Sequence, residues 1–129
     1  TKKIKKKINS RSKGCRGELE LAHFLKDHGL PARRGQQFSG NPDSPDIICA
    51  SLAPFHIECK RVEALNLYKA MKQAQNDCNA EQKPVVFHRK SRENWLAIIK
   101  AEDFLELFKK AQHAYAISNP CRNEPLPQD

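Results

Sequence analysis

Long apolar runs, paired metal-ligand spacings and acidic residues near the start are what this sequence lacks. The longest apolar run, WLAII at residues 95–99, is far shorter than the ~20 residues that a membrane span requires. No membrane-spanning segment is therefore predicted. The basic start TKKIKKKIN is not followed by the apolar segment of a signal peptide, so export is not indicated.

The five cysteines show no pattern that would build a structural site. Their number is odd, and they form neither a CxxC pair nor the Cys/His spacing typical of zinc ligands. A disulfide framework and a structural zinc site are both disfavoured, and we predict reduced thiols in a cytoplasmic protein. Cys49 and Cys59 fall at apolar strand positions, where a thiol packs as a small hydrophobic group.

Positive charge is concentrated at the N-terminus. The net charge is +8, and residues 1–16 contain eight Lys and Arg but no acid. The other 15 basic residues balance the 15 acidic ones. We predict a basic flexible arm over residues 1–12 that attracts the phosphate backbone of a nucleic acid. The alternative is a solvated tail that only aids solubility.

Apolar periodicity predicts one α/β domain over residues 13–117, followed by a disordered, proline-rich tail over 118–129. Helices are expected at 12–28, 65–79 and 101–116, and strands at 32–38, 46–50, 55–60, 84–89 and 95–100. The order helix, three strands, helix, two strands, helix predicts a mixed sheet flanked by helices.

Each predicted helix has an apolar stripe that we expect to face inward. In the first helix the stripe includes one acid, Glu18, whereas Glu20 is expected to be an ordinary surface acid. The predicted inward residues are Glu18, Leu21, Ala22 and Leu25 in the first helix, Leu67, Ala70, Met71, Ala74 and Cys78 in the second, and Phe104, Leu105, Phe108, Ala111 and Tyr115 in the third.

The segment PDIICASLAPFHIECKR, residues 45–61, carries charged residues within apolar strands. Strand alternation places His56, Glu58 and Lys60 on one face. We predict a hairpin with either a five-residue loop, 50–54, or a bulge that brings Asp46 opposite Glu58, because a four-residue loop would turn Asp46 to the other face. Asp43 belongs to a competing Pro-Asp pair, but only Asp46 leads directly into the apolar strand.

These side chains are suited to phosphodiester hydrolysis. Mg²⁺ takes oxygen ligands, which Asp46 and Glu58 could supply with Glu18 in reach, and Lys60 would add positive charge at the phosphate. Structural alternatives exist for each residue. Glu58 and Lys60 could form a surface ion pair of little energetic value, and Glu18 could be an acid favoured near a helix N-terminus.

Several stretches together resemble one nuclease family. They are KGCRGELELAHFLKDHGL, RRGQQFSG, PDSPDII, HIECKR and LNLY, and between residues 13 and 108 they are similar to phage and archaeal-type Holliday junction resolvases of the PD-(D/E)XK nuclease superfamily. The resemblance implies a restriction-endonuclease-like core with a catalytic set that comprises Glu18, Asp46, Glu58 and Lys60. It assigns the metal to Asp46, Glu58 and Glu18.

The same resemblance implies a cofactor and partners. The cofactor is Mg²⁺, with Mn²⁺ as a substitute, and the protein is expected to be a homodimer that nicks four-way DNA junctions symmetrically. The cytoplasm predicted from the cysteines would be that of the host cell if the protein is encoded by a phage. A dimer with two sites also suits a two-fold symmetric substrate. The alternatives are a nuclease of the same type acting on other branched or duplex DNA, and a non-catalytic nucleic-acid-binding module.

Further residues are predicted around this site. His56 and Gln73 are candidate accessory residues, although His56 could be a phosphate contact or a surface residue and Gln73 an ordinary helix former. The loop before Asp46 is longer than in the archaeal pattern, in which Arg34 and Ser39 have counterparts. The basic residues among the predicted DNA contacts could instead be scattered surface charges. The predicted DNA-contacting residues are Lys5, Lys6, Lys7, Arg11, Lys13, Arg16, Arg33, Arg34, Ser39, Arg61 and Arg89.

Overall fold

The computed structural model describes residues 10–35 and 46–120, with side chains from residue 14 onward. The chain divides into two compact units, residues 1–99 and 100–129. Among the described residues, the first unit holds five strands and two α-helices, and the second holds one α-helix. The elements are α1 (Ser10–Asp27), β1 (Arg33–Arg34), β2 (Ile47–Ile48), a 3₁₀ turn (Ala50–Leu52), β3 (Phe55–Arg61), α2 (Leu67–Asp77), β4 (Lys83–Arg89), β5 (Leu96–Ile99) and α3 (Ala101–Ser118).

The strands form a three-stranded mixed sheet and a small antiparallel pair. β3 runs parallel to β4 with Glu58 opposite Val86, and β4 runs antiparallel to β5. β1 pairs with β2 through Arg34 and Ile47. A parallel pair needs a long crossover, which α2 supplies between β3 and β4. The predicted α/β class, with a mixed sheet and helices in the predicted order, is confirmed.

Two apolar clusters cover the two faces of the main sheet. On one face Ile57 and Val85 pack with Leu21, Ala22 and Leu25 of α1. On the other face Val86 packs with Ala70 and Ala74 of α2. Because cross-strand partners share a face, Glu58 lies with Val86 on the α2 face. Side chains alternate along β3, so Ile57 packs in the cluster with α1, whereas Glu58 and Lys60 lie on the face that α2 covers.

Local signals explain the helix ends and one close packing contact. α1 begins at Ser10, two residues before the predicted Ser12, and ends just before Gly29, whose φ of 81° suits glycine. Asn66 caps α2 by accepting a hydrogen bond from the Lys69 N–H at 3.2 Å. At Gly17, a Cβ atom would lie 2.6 Å from Cβ of Arg61, so α1 and β3 meet where a side chain would not fit.

Two predictions about inward-facing residues are wrong. Leu67 is 39% exposed, because Leu65, just before α2, packs against the Ala70 cluster instead. In α3 the predicted inward stripe is solvent-exposed, because a 3.6-residue period identifies an apolar face but not the surface that would cover it. Its members Phe104, Leu105, Phe108, Ala111 and Tyr115 are all exposed.

Several predictions fall on parts of the chain that the structure does not describe. They are the first nine residues of the basic arm with Lys5, Lys6 and Lys7, the loop with Ser39 and Asp43, and residues 121–129 of the predicted tail. Arg11 and Lys13 lie in α1, but their side chains are outside the described set. Within residues 10–35 and 46–120, no helix has the length and apolar character needed to cross a membrane.

Candidate active site

Asp46 lies against β3 beside Glu58. Its N–H donates to the Ile57 carbonyl at 3.2 Å, and its Oδ2 accepts from the Cys59 N–H at 2.9 Å. The two bonds hold Asp46 across the residues on either side of Glu58, and the two carboxyl groups hydrogen-bond each other. Asp46 is 9% exposed and Glu58 is 3% exposed. The structure therefore brings these two predicted metal ligands together.

The route by which they meet differs from the predicted hairpin. β2 is only two residues long and belongs to the sheet with β1, and a 3₁₀ turn over Ala50–Leu52 replaces the predicted loop. The predicted β-hairpin between residues 46–50 and 55–60 is thus wrong. The strand that pairs along the whole of β3 is β4, and Asp46 reaches β3 through one backbone bond and its carboxylate.

Burial and mutual repulsion divide the protonation of the two acids. Burial, followed by the charge of Glu58, raises the pKa of Asp46 to about 7. Burial also acts to raise the pKa of Glu58, but hydrogen bonds with His56 and Asp46 and the charge of Lys60 outweigh it and lower that pKa. Near neutral pH, Glu58 carries the charge and Asp46 is close to its titration midpoint.

Lys60 lies on the same strand face as Glu58, two residues further along β3. Its ammonium group donates to Oε1 of Gln73 at 2.9 Å, so a side chain from α2 holds it in place. Both partners are accessible to solvent, unlike the carboxylates beside them. The structure thus places the predicted accessory residue Gln73 in direct contact with the predicted catalytic lysine.

Glu18 approaches the carboxylate pair from α1. Its side chain is 15% exposed, and its Oε2 is paired with Nε of Arg34. This hydrogen bond raises the pKa of Arg34, and the charge of Glu18 helps to raise the pKa of Asp46. Glu18 is therefore near the pair but bound to Arg34, which the sequence analysis assigned to DNA.

A second group of potential ligands also includes Glu58. His56 is 1% exposed, and its Nε2 lies 3.4 Å from Oε1 of Glu58. Asp77, the last residue of α2, completes a set whose ligand atoms all lie within 4.8 Å of one another. His56 is buried, so the alternative of a surface histidine is wrong. The sequence analysis missed Asp77.

The signal for Asp77 lies in the topology and not in its local sequence. A crossover helix runs antiparallel to the two parallel strands it connects, so its last turn lies over the beginning of the first strand. His56 is the second residue of β3, and Asp77 ends α2. Once the parallel pairing of β3 with β4 is known, their proximity is expected.

Glu20 is not the ordinary surface acid that was predicted. It accepts from Nε of Arg61 at 3.2 Å and from Nη1 of Arg89, two residues that are partners across the β3–β4 pair. Arg61 and Arg89 are the last residues of β3 and β4, and their side chains partly cover the side of α1 on which Glu20 lies. Arg61 and Arg89 are thus engaged within the protein, whereas Arg16 and Arg33 are exposed. Contact of these four residues with DNA stays a prediction.

One cavity in the described part of the structure is formed by residues other than the carboxylate pair. Its volume is about 660 Å³, and it is lined by residues of α1 and of the segment 89–95, including Phe24, His28 and Trp95. None of the predicted catalytic residues lines it. A DNA backbone is bound on an open surface, so a deep pocket at the carboxylates is not required.

The PD-(D/E)XK nuclease class is defined by an acid that precedes a core strand and by a Glu and a Lys two residues apart on the next strand of a mixed α/β sheet. Asp46 is that acid here, and Glu58 and Lys60 lie two residues apart on β3. A sequence model of the family described as "Phage putative PDDEXK endonuclease" matches residues 9–123. The chain belongs to this phage PD-(D/E)XK endonuclease family. None of the curated proteins and none of the solved structures gives a significant match. The predicted nuclease superfamily is confirmed, while the resolvase assignment stays a prediction.

Proposed function

We propose that this endonuclease is a Mg²⁺-dependent enzyme that resolves four-way DNA junctions by paired, symmetric nicks. The observation that carries the proposal is the buried pair Asp46 and Glu58 with Lys60 on the same strand face, in a chain of an endonuclease family. Junction selectivity is supported by the sequence resemblance to junction resolvases and by the basic N-terminal residues.

Asp46 and Glu58 would hold the metal ion, with Glu18 beside them. Their donors are all oxygens, which suits Mg²⁺, with Mn²⁺ as a substitute. Burial and the Glu58 charge hold the pKa of Asp46 at about 7, so a divalent cation would relieve an existing repulsion between buried carboxylates. When bound, such an ion polarises a phosphoryl oxygen and lowers the pKa of water.

Hydrogen bonds within the protein hold the proposed catalytic side chains in place before a phosphate binds. Lys60, held by Gln73, presents a fixed ammonium group for a non-bridging phosphate oxygen, where negative charge accumulates during hydrolysis. Asp46 is fixed by the Cys59 N–H and therefore needs no reorientation. Glu18 is oriented by Arg34, which also compensates its charge.

The basic N-terminal residues would supply much of the affinity for DNA. Eight Lys and Arg within residues 1–16 face no acid in that segment, whereas the remainder of the chain is formally neutral. Contacts from such residues go to phosphates and do not read sequence. We expect binding to weaken steeply as salt concentration rises, because phosphate contacts release counterions.

The proposed homodimer has a candidate contact surface on α3. Phe104, Phe108, Ala111 and Tyr115 lie within about 60° on one side of this helix at 100° per residue. Their aromatic side chains are exposed, and exposed apolar patches mark interaction sites. A second copy of the chain is the partner that a two-fold symmetric substrate favours. Phe108→Glu should therefore convert a dimer to a monomer in sedimentation velocity, whereas His113→Glu, on the opposite side of α3, should not.

A cleavage assay on matched substrates tests the activity. Purified wild type, Asp46→Asn, Glu58→Gln and Lys60→Met would be compared on a four-way junction, a flap and a linear duplex in Mg²⁺ and in Ca²⁺. Each variant should lose at least about 100-fold in cleavage rate while still binding DNA, since each removes a charged group at the reacting phosphate. Glu81→Gln, which changes an exposed acid elsewhere, is the control.

The possible outcomes separate the alternatives. Wild-type rates in Asp46→Asn and Glu58→Gln would refute the site assignment. Equal cutting of flap or duplex would refute junction selectivity and leave the nuclease activity standing. Salt-sensitive binding by wild type without any Mg²⁺-dependent cleavage would favour the non-catalytic binding module.

A further inference from the structure

We propose that His56, Glu58 and Asp77 form a second metal site, with a ligand set that does not include Asp46, which takes a four-coordinate transition-metal ion such as Zn²⁺. Two ligands come from β3, and the third comes from the end of α2. Glu58 is shared with the proposed nuclease site. The inference concerns metal binding and does not depend on nuclease activity.

The spacing of the donor atoms in the hydrogen-bonded pair His56 and Glu58 also fits a metal site. Nε2 of His56 lies 3.4 Å from Oε1 of Glu58. That separation is long for a hydrogen bond, since N–H···O distances are usually about 2.7–3.2 Å. It matches the distance of about 3.4 Å between two ligands of a tetrahedral ion whose bonds are about 2.1 Å long. All three donor atoms lie within 4.8 Å, so small side-chain adjustments would close the set.

The chemistry of the donors selects the kind of ion. The set contains one imidazole nitrogen and two carboxylates, whereas Mg²⁺ prefers oxygen ligands alone in octahedral geometry. Imidazole with carboxylate suits borderline ions such as Zn²⁺ and Co²⁺. Three protein ligands leave a fourth position for water, the arrangement of open zinc sites.

The scaffold holds the first two ligands rigidly. His56 and Glu58 are 1% and 3% exposed, and both belong to the seven-residue strand β3, which is paired along its whole length with β4. Residues two apart in a strand project from the same face. Asp77 is half-buried at the C-terminal end of α2, so the site would be more open to solvent on the side of Asp77.

Co²⁺ binding to the full-length protein is the test, because four-coordinate Co²⁺ has a strong visible spectrum. Chelator-stripped wild type should bind one equivalent of Co²⁺ with that spectrum, and Zn²⁺ should displace it. Asp77→Asn and His56→Gln should each weaken binding at least about tenfold. Asp27→Asn, at an exposed acid outside the set, should bind as wild type does.

Asp46→Asn separates this site from the proposed nuclease function. That variant should lose DNA cleavage but retain Co²⁺ binding, so each proposal can fail without the other. Unchanged Co²⁺ affinity in Asp77→Asn, absence of binding, or a near-ultraviolet charge-transfer band that identifies thiolate ligands would overturn the metal site. If His56→Gln fails to fold by circular dichroism, Asp77→Asn decides the question, because Asp77 lies at a helix end.

Discussion

Replacing Asp46 with Asn should stabilise the metal-free protein at pH 8 and leave its stability nearly unchanged near pH 4. Burial, together with the charge of Glu58, raises the pKa of Asp46 from 3.8 to about 7. Below pH 3.8 both the folded and the unfolded states are protonated at this residue, so it carries no penalty. As the pH rises toward 7, the unfolded chain releases the proton that the folded chain retains, and the free energy of unfolding falls.

The magnitude follows from the shift. A difference of about 3 pKa units at about 1.36 kcal/mol per unit gives a cost of about 4 kcal/mol, complete above pH 7. The Asn amide is neutral at every pH, and its oxygen can still accept the hydrogen bond from the Cys59 N–H. We expect Asp46→Asn to be about 2 to 4 kcal/mol more stable than wild type at pH 8, since loss of the Glu58 interaction offsets part of the gain.

Urea unfolding followed by far-ultraviolet circular dichroism, at intervals from pH 4 to pH 8 in chelator, measures this difference. Asp27→Asn, which changes an exposed acid, is the control and should show no pH-dependent gain. A stability difference that does not vary with pH, or a less stable Asp46→Asn protein at pH 8, would refute the argument. Adding Mg²⁺ at pH 8 should stabilise wild type but not Asp46→Asn, because a ligand stabilises only the state that binds it.

Two further pairs of substitutions test the packing of α1 and the support of Lys60, the proposed catalytic lysine. Gly17→Ala should lose about 1 to 3 kcal/mol in urea unfolding, because the new Cβ would lie 2.6 Å from a β3 side chain. Gly14→Ala, with nothing within 4 Å, should instead be neutral or gain up to about 1 kcal/mol; equal effects would contradict the close contact. Gln73→Ala should slow DNA cleavage by about tenfold with unchanged DNA binding, because the lysine ammonium loses its partner. Gln75→Ala, exposed on the same helix, should have no effect, and a similar loss in both would indicate a general disturbance of α2.

Local periodicity was sufficient to predict which elements form. The alternation in β3 and the apolar stripe of α1 each correspond to a buried face, with Leu21 and Ile57 almost fully buried. Pairing between strands was harder to predict. The sequence order favoured a hairpin before β3, but the partner along its whole length is β4, because α2 provides a crossover that returns the chain parallel to β3.

The site shows the same division between local and non-local information. Spacing along β3 placed Glu58 and Lys60 on one face, and the nearness of Asp46 was anticipated even though the predicted hairpin was wrong. The contacts of Glu20 with two arginines and the approach of Asp77 to His56 depend on how α1 and α2 lie on the sheet. No pattern near those residues encodes such contacts.

The anchoring of Asp46 on β3 also bears on aggregation. In the described chain the main sheet begins with β3, so one side of this strand has no full-length partner. Exposed strand edges of this kind recruit strands from other molecules. The Asp46 carboxylate occupies the Cys59 N–H on that side, and the Asp46 N–H occupies the Ile57 carbonyl. Asp46, the proposed metal ligand, thereby also satisfies backbone groups on the side of β3 that has no full-length partner. Asp46→Asn retains an acceptor for the Cys59 N–H, whereas Asp46→Ala would leave that N–H open to strands of other molecules.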